Sequence, residues 1–542
     1  MTTPIRLTVD SSKGKWHNSA AIFLLPLLGG LLLSISFPNE ILPGGLGDHP
    51  FFLLGWIALI PALWGVFAWQ GRQAIWASWL FAIVFYLGTL SWMRLFGFLP
   101  WCCLACYLSL IAPISLWITR RMALPTWSAP LGFALTWTGI EWLRSQSIMG
   151  FSWSEIGASQ VNGITANIAS LGSVYLISFL MLLLVGCLIQ RIRKVTTPYL
   201  FPLISLAILV LCVLGGWYQS FRCQQRWAHQ TKSQIFALVQ PSIQRGLTPE
   251  ALVTPLSNEE LLRRQQIILD LSHASVEQYR NASLENKDNE PLVVWSESAI
   301  GYPPYVGDIL NLCRDEHCHL LAGAVYFTYP DNSPRNSAYL FNTNGLDEGR
   351  YDKIHLVPFG EFVPFRSLVS RFYTVRSDDL TRGSGWIPLQ LNDKRLGVGV
   401  CFESTFPSIA RDYANRHANY LIYITNDAWF HETSAVRQHF NHARFRAIET
   451  GLPVVRTAST GISGIIAPDG AVQREIPTYA TGTQTVRVPI GIPGTVYTTF
   501  GWLFAPLCFV ASMLLLIRGE LISRKKTIRQ STKKRSRRRK AL

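Results

Sequence analysis

The chain has 542 residues, of which 49% are hydrophobic and only 15% are charged. Soluble chains carry roughly 25% charged residues, so this composition excludes an ordinary soluble multidomain protein and points to lipid contact. Of the net charge of +16, Arg518 to Leu542 alone supply +11, from twelve Lys/Arg against Glu520. A basic run directly after an apolar segment reads as a cytoplasmic anchor against anionic lipid or as a solvated tail, with no nucleic-acid partner expected.

Eight segments are free of Asp, Glu, Lys and Arg over the ~20 residues a bilayer crossing needs: residues 19–37, 51–70, 73–92, 100–119, 122–140, 169–189, 197–217 and 497–517. The first is too long, and too poorly followed by a small-residue cleavage site, for a signal peptide; it reads as an uncleaved anchor. Loop charge then sets the orientation. Arg6, Lys13, Lys15, Arg72, Arg120, Arg121, Arg191, Arg193, Lys194 and the basic tail fall on one side, and only Arg94 and Arg144 on the other. Both termini are therefore expected in the cytoplasm. The expected organisation is a membrane domain with seven spans (1–219), a periplasmic domain (220–492), an eighth span (493–517) and a basic cytoplasmic tail (518–542).

The 220–492 block has a different pattern. Gln234–Ile243, Leu292–Trp295, His319–Phe327, Ala338–Asn342, Leu396–Cys401 and Tyr420–Thr425 read as strands; Glu259–Tyr279, Ser408–His417 and Ala435–Thr450 read as helices. Such alternation predicts a layered α/β domain. Cys102, Cys103, Cys106, Cys187, Cys212 and Cys508 lie in apolar segments, where cysteine packs as a small hydrophobe. Cys313 and Cys318 can pair if the domain is outside the cytosol. Their spacing lacks the second ligand pair of a zinc site.

Three short motifs carry ionisable residues just past apolar runs. They are Val294-Trp295-Ser296-Glu297-Ser298, Tyr351-Asp352-Lys353-Ile354-His355-Leu356-Val357-Pro358-Phe359-Gly360-Glu361, and Gly399-Val400-Cys401-Phe402-Glu403. A thiol is mostly protonated near pH 7 and needs a base or a cation to become a nucleophile. Glu297 can take the proton. Lys353 can lower the thiol pKa and stabilise an oxyanion, with the Phe402 backbone N–H as a second donor. Taken singly, each of these residues is more often inert than functional. His355, His439 and His442 read as packed or surface histidines. There is no Walker loop, dinucleotide-binding glycine fingerprint or His-Glu-x-x-His motif, so no metal and no cofactor are expected.

Taken together, in the order Glu, Lys, Cys, the three motifs resemble the nitrilase superfamily. The Tyr351–Glu361 string, Asn426-Asp427-Ala428-Trp429-Phe430, Arg444-x-Arg446-Ala447-x-Glu449, Pro453-Val454-Val455-Arg456-Thr457-Ala458 and Gly461-Ile462-Ser463 resemble the apolipoprotein N-acyltransferases within it. So do Phe151-Ser152-Trp153, Gly157, Ser159, Gln160, Gly172-Ser173-Val174-Tyr175 and Ser178-Phe179 in the membrane part. The resemblance covers about residues 20–517. It implies a polytopic α-helical membrane domain plus an α/β nitrilase-like αββα sandwich, with Glu297 as base, Lys353 as catalytic lysine and Cys401 as acylated nucleophile. Glu361, Phe402, Glu403 and Trp429 are the implied supporting residues. It further implies a phospholipid acyl donor, a diacylglyceryl-apolipoprotein acceptor and an inner-membrane location.

The sequence departs from the family pattern at Ser296, usually Pro, and at Phe402, usually Tyr. A family tryptophan has no counterpart near Ser242–Pro249. Two other readings remain open: a membrane-anchored amidase, and a transporter with a non-catalytic nitrilase-like domain. The number of apolar segments disfavours the first, and the intact triad and charge-free spans disfavour the second.

Overall fold

The computed structural model describes residues 19–42, 51–147, 149–195, 198, 200–243, 257–282, 290–300, 306–328, 333–369, 371 and 379–540. Arg6, Lys13, Lys15 and residues 244–249, where the family tryptophan has no counterpart, lie outside them. A helix stands at each of the first seven apolar segments: α1 (Ser19–Ile35), α2 (Phe52–Ala68), α3 (Gly71–Thr89), α4 (Phe98–Ser109) continued by α5 (Ile111–Arg121), α6 (Ala129–Arg144), α7 (Ala169–Ile192) and α8 (Leu200–Ala228). Among the described residues, four helical stretches are long and apolar enough to cross a membrane: Phe98–Arg121, Ala166–Ile192, Leu200–Ala228 and Gly501–Thr532. α1 and α2 are apolar but shorter. The chain thus has several apolar helices, with the length criterion met by half of the expected spans.

Two helices differ from expectation in a way that matters. The segment expected at 122–140 is displaced toward the C-terminus. Pro125 and a 3₁₀ turn over Thr126–Ser128 hold the chain out of the helix until Ala129, with Pro130 in its first turn. α6 therefore contains Glu141, fully buried, and Arg144, so this helix is not charge-free. The basic tail does not leave the last helix: it continues it to Lys540.

The second part is built on two six-stranded sheets, ordered β12-β1-β2-β3-β4-β5 and β11-β10-β9-β8-β7-β6. The first six strands are β1 (Ser233–Gln240), β2 (Leu292–Val294), β3 (His319–Thr328), β4 (Ser333–Phe341), β5 (Asp347–Asp352) and β6 (Leu389–Leu391). The second six are β7 (Lys394–Val400), β8 (Tyr420–Thr425), β9 (Val454–Ala458), β10 (Ser463–Ile466), β11 (Val472–Ile476) and β12 (Gly482–Pro489). Each sheet has a parallel core, β1-β2-β3 in one and β7-β8-β9 in the other, flanked by antiparallel strands.

Side-chain alternation along β1 shows the layering. Phe236 and Leu238 join the core between the sheets, where Phe236 meets Tyr420 edge-on at 4.9 Å. Ala237 and Val239 face the opposite way, into a cluster with Ile268, Leu269 and Val276 of α9 (Asn258–Ala282) and Ile309 and Leu312 of α10 (Val306–Asp315). On the other sheet the outer layer is α11 (Pro407–Asn415) and α12 (Ser434–Thr450), and the chain ends in α13 (Phe504–Lys540). The expected αββα sandwich is present. β5, β6, β9 to β12 and α10 were not among the expected elements; several of these strands are short or carry charges on an exposed face, which weakens a period-two hydrophobic signal.

α12 joins the two parts. Its Glu449 carboxylate accepts from Ser173 Oγ (2.5 Å) and Val174 N (3.3 Å) at a break in α7, where Ser173 has φ +63°. Gln438 donates to Pro38 O (2.7 Å) and Thr89 O (3.0 Å) and accepts from Trp153 Nε1 (2.7 Å). The helix sets apolar residues such as Val436, Phe440 and Ile448 among polar ones, and its described side chains are almost all buried, because both faces are covered.

Candidate active site

Strand ends bring the candidate residues together. Glu297 stands three residues past β2, Lys353 one past β5 and Cys401 one past β7. β3 runs beside the first of these only because residue 323 is glycine. A Cβ there would lie 2.7 Å from Glu297 Cα and from Ser296 O.

Lys353 is 1% exposed and lies between two carboxylates, 3.5 Å from Glu297 Oε1 and 2.9 Å from Glu361 Oε1. Burial disfavours its charge, but Glu361, Glu297 and the Cys401 thiol outweigh that, so its pKa is raised and it stays an ammonium. Asn336 Nδ2 bridges the same pair, donating to Glu297 Oε1 (2.7 Å) and Glu361 Oε1 (2.8 Å). Asn426 N donates to Glu297 Oε2 (2.9 Å), and Val357 N to Glu361 Oε2 (2.8 Å). Both carboxylates are thus fixed in direction before any substrate arrives.

Cys401 sits at φ +53°, in the left-handed region that a non-glycine residue enters at a cost of ~1–3 kcal/mol. A short 3₁₀ turn, Cys401–Thr405, begins there. The thiol pKa is pushed up by burial first and by Glu297 second, with Lys353 opposing. The resting thiol is therefore protonated and requires a proton acceptor at the moment of attack. The geometry supplies a buried carboxylate and ammonium beside a half-buried thiol, the requirements of acyl transfer.

The supporting residues separate by role. Glu361 shares Lys353 directly. Glu403 is fully buried and accepts from Tyr351 Oη (2.8 Å), Ile354 N (2.9 Å), His355 N (3.0 Å) and Val400 N (2.9 Å). It ties the Lys353 segment to the Cys401 turn. Phe402 packs with Phe151 (6.1 Å), Trp153 (6.5 Å) and Phe406 (5.1 Å), so its ring contacts the helical region's 151–153 loop. Trp429 is 40% exposed.

Comparison with known proteins follows the two-part architecture. A family pattern described as apolipoprotein N-acyltransferase N-terminal domain matches residues 29–187, and one described as carbon-nitrogen hydrolase matches residues 288–491. The apolipoprotein N-acyltransferase of Geobacter metallireducens is 30% identical over 93% of this chain and 96% of its own length. The chain belongs to the apolipoprotein N-acyltransferase family. The relatives of the same name from Haemophilus ducreyi and Pseudomonas aeruginosa are each 27% identical, covering 88% and 90% of this chain and 95% of their own lengths.

In this apolipoprotein N-acyltransferase family member, residues that sequence reasoning passed over complete the site. Asn336 had no signal beyond a polar side chain at a strand. Asp427 and Arg456 lay inside motifs quoted for other reasons, and His439 read as an ordinary packed histidine. The ligand atoms of Cys401, Asp427 and His439 lie within 4.8 Å of one another. That set suits a cation poorly, because Arg456 Nη2 already donates to Asp427 Oδ2 (2.8 Å) and lies 3.1 Å from His439 Nδ1. Asp427 itself fits because residue 461 is glycine: a Cβ there would lie 2.7 Å from Asp427 Cγ.

Proposed function

We propose that the protein transfers an acyl chain from a membrane phospholipid, through a thioester on Cys401, to the N-terminal amine of a diacylglyceryl-cysteine on an apolipoprotein. The observation that carries this is Lys353 held between Glu297 and Glu361 beside a thiol on a left-handed turn, in a chain of this family. Cys401 Sγ attacks the ester carbonyl as Glu297 takes the thiol proton. Lys353 and the Phe402 N–H stabilise the oxyanion. The glyceryl oxygen leaves with the proton from Glu297 as a lysophospholipid. The amine then attacks the thioester, Glu297 accepts its proton, and the thiol is restored.

The proposed division is 1–219 for the membrane domain, 220–492 for the catalytic domain, 493–517 for the last span and 518–542 for the cytoplasmic tail. The loop charges favour an inner-membrane protein with its catalytic domain in the periplasm, where diacylglyceryl-lipoproteins and phospholipid share one leaflet. The exposure of Trp429 on the turn after β8 supports a role for it in contacting lipid or lipoprotein.

The test is labelled phospholipid incubated with purified wild type and variants, counting label on protein before and after hydroxylamine, which cleaves thioesters. Wild type should hold hydroxylamine-labile label. Cys401→Ala should hold none, and Cys401→Ser none, since a hydroxyl is far harder to deprotonate. Glu297→Gln should acylate ~10²–10⁴-fold more slowly. Label that persists on Cys401→Ala sinks the covalent mechanism. Orientation is checked with a cysteine at exposed Asn344: a membrane-impermeant reagent should label it in cells with a permeabilised outer membrane, and protection there refutes the periplasmic placement.

A further inference from the structure

A second set of buried groups touches Cys401, and the acyl-transfer scheme does not use it. His439, Asp427 and Arg456 are 1%, 0% and 0% exposed. His439 Nε2 lies 3.0 Å from the Cys401 carbonyl oxygen and 2.8 Å from Ser404 Oγ. Nδ1 lies 2.9 Å from Asp427 Oδ1. A carbonyl only accepts hydrogen bonds, so the Nε2 contact is met when Nε2 carries hydrogen; on the Nδ1 side, Arg456 Nη2 lies 3.1 Å away. Arg456 Nη2 and Thr425 Oγ1 donate to Asp427 at 2.8 and 2.9 Å, fixing the carboxylate that fixes the ring. Ser404 Oγ donates to the same Cys401 oxygen at 3.0 Å.

Cys401 needs such a grip. Its left-handed φ of +53° is what turns the side chain away from the strand, and nothing in a cysteine favours that conformation. On the other side of the ring, Trp153 from the helical region stacks on His439 with centroids 5.6 Å apart and planes at 29°. The ring therefore lies between the helical region and the backbone of the nucleophile.

We infer that His439 is a positioning residue: its Nε2–H holds the Cys401 carbonyl and with it the turn that aims Sγ, while Asp427 and Trp153 hold the imidazole. This rests on Cys401 being the acylated residue.

Two amide replacements in the full-length enzyme separate this role from mere packing. In His439→Gln the side-chain amide reaches the position of Nε2 and can still donate to Cys401 O. In His439→Asn the amide reaches only the position of Nδ1, keeping Asp427 and losing Cys401. Thioester formation is followed against phospholipid concentration, with the thermal midpoint measured in parallel. His439→Asn should lose on the order of 100-fold in kcat, the size expected for a misplacement of about 1 Å, with KM for phospholipid unchanged. His439→Gln should stay within about 10-fold of wild type, and the two midpoints should agree. Equal rates for the two variants, or losses that follow the midpoints, overturn the inference. A wild type with no label on Cys401 refutes the nucleophile itself and the inference with it. Label that forms on Cys401 while Asn matches Gln refutes the inference alone.

Discussion

The helical region and the sandwich solve burial in opposite ways. Along α8, Leu203, Leu211 and Leu214 are 60%, 68% and 56% exposed, a surface that suits only an apolar surround. In α6, by contrast, Glu141 is buried, accepting from Trp137 Nε1 (2.9 Å) and Ile156 N (3.0 Å). The sandwich keeps Phe236, Leu238 and Tyr420 inside and places charges such as Glu348 and Arg350 outside. Where the two meet, neither rule holds. α12 presents Gln438, Arg446 and Glu449 to its neighbours and buries them all. The junction combines this polar fit with aromatic packing of Phe402 and Phe430 on Trp153. Changes at the junction should therefore cost assembly first and chemistry second, and changes at the strand ends the reverse.

The largest effect should come from breaking that polar fit. Arg446 Nε pairs with Glu449 Oε2 at 2.8 Å, Arg446 Nη1 donates to Thr405 O at 2.6 Å, and Glu449 reaches Ser173 of α7. Removing one partner of a buried pair leaves a charge without compensation, typically costing ~3–5 kcal/mol. Glu449→Ala should therefore lower the thermal midpoint in detergent strongly, and lose activity along with it. A variant of normal midpoint would show that the junction depends on other contacts.

Next comes a change confined to the chemistry. Lys353→Arg keeps a positive charge but replaces a compact ammonium by a planar fork in a site shaped by two carboxylates. Losing one aligned oxyanion donor costs ~10²–10³-fold in kcat. That drop is expected in thioester formation, with a loss of stability smaller than that of Glu449→Ala. Near-normal transfer by Lys353→Arg would mean that any cation suffices.

These contrasts also explain what the sequence revealed. Glu297 and Cys401 were legible because each follows an apolar run, and a strand end displays whatever comes next; Lys353 follows the charged strand Asp347–Asp352 and was legible through the Tyr351–Glu361 string around it. α9, α11 and α12 were legible as helices, within a few residues at each end. What α12 does was not, since its apolar residues Val436, Phe440, Ala443 and Ala447 mark the core, while the polar Gln438 and Glu449 that reach the helical region carry no pattern of their own. Asp427, His439 and Arg456 come from three separate places, the turn after β8, α12 and β9, and only the fold joins them in one hydrogen-bonded cluster, with His439 on the Cys401 carbonyl. α6 was misplaced because the apolar run begins before the residue, Ala129, at which Pro125 and the 3₁₀ turn let the helix start.

The smallest expected effect is a pH dependence of the junction at His355. Its Nε2 lies 3.3 Å from Gly150 O, on the helical region's loop, and its ring rests against Phe406 at 3.9 Å. Burial lowers its pKa from 6.5 to about 4, with Arg382 and Lys353 adding to the effect and the Gly150 contact opposing it. The folded protein therefore holds His355 neutral, while the unfolded chain takes up a proton first as pH falls. Its contribution is complete above pH ~6.5 and is lost between there and about pH 4, with ~3 kcal/mol as a ceiling. Denaturant midpoints of wild type and His355→Gln at pH 7, 5.5 and 4.5 isolate this contribution, because every other titrating group is shared. The wild type should lose stability more steeply on acidification than His355→Gln. Parallel curves would show that His355 is not held neutral at the junction and that acid acts there through other groups.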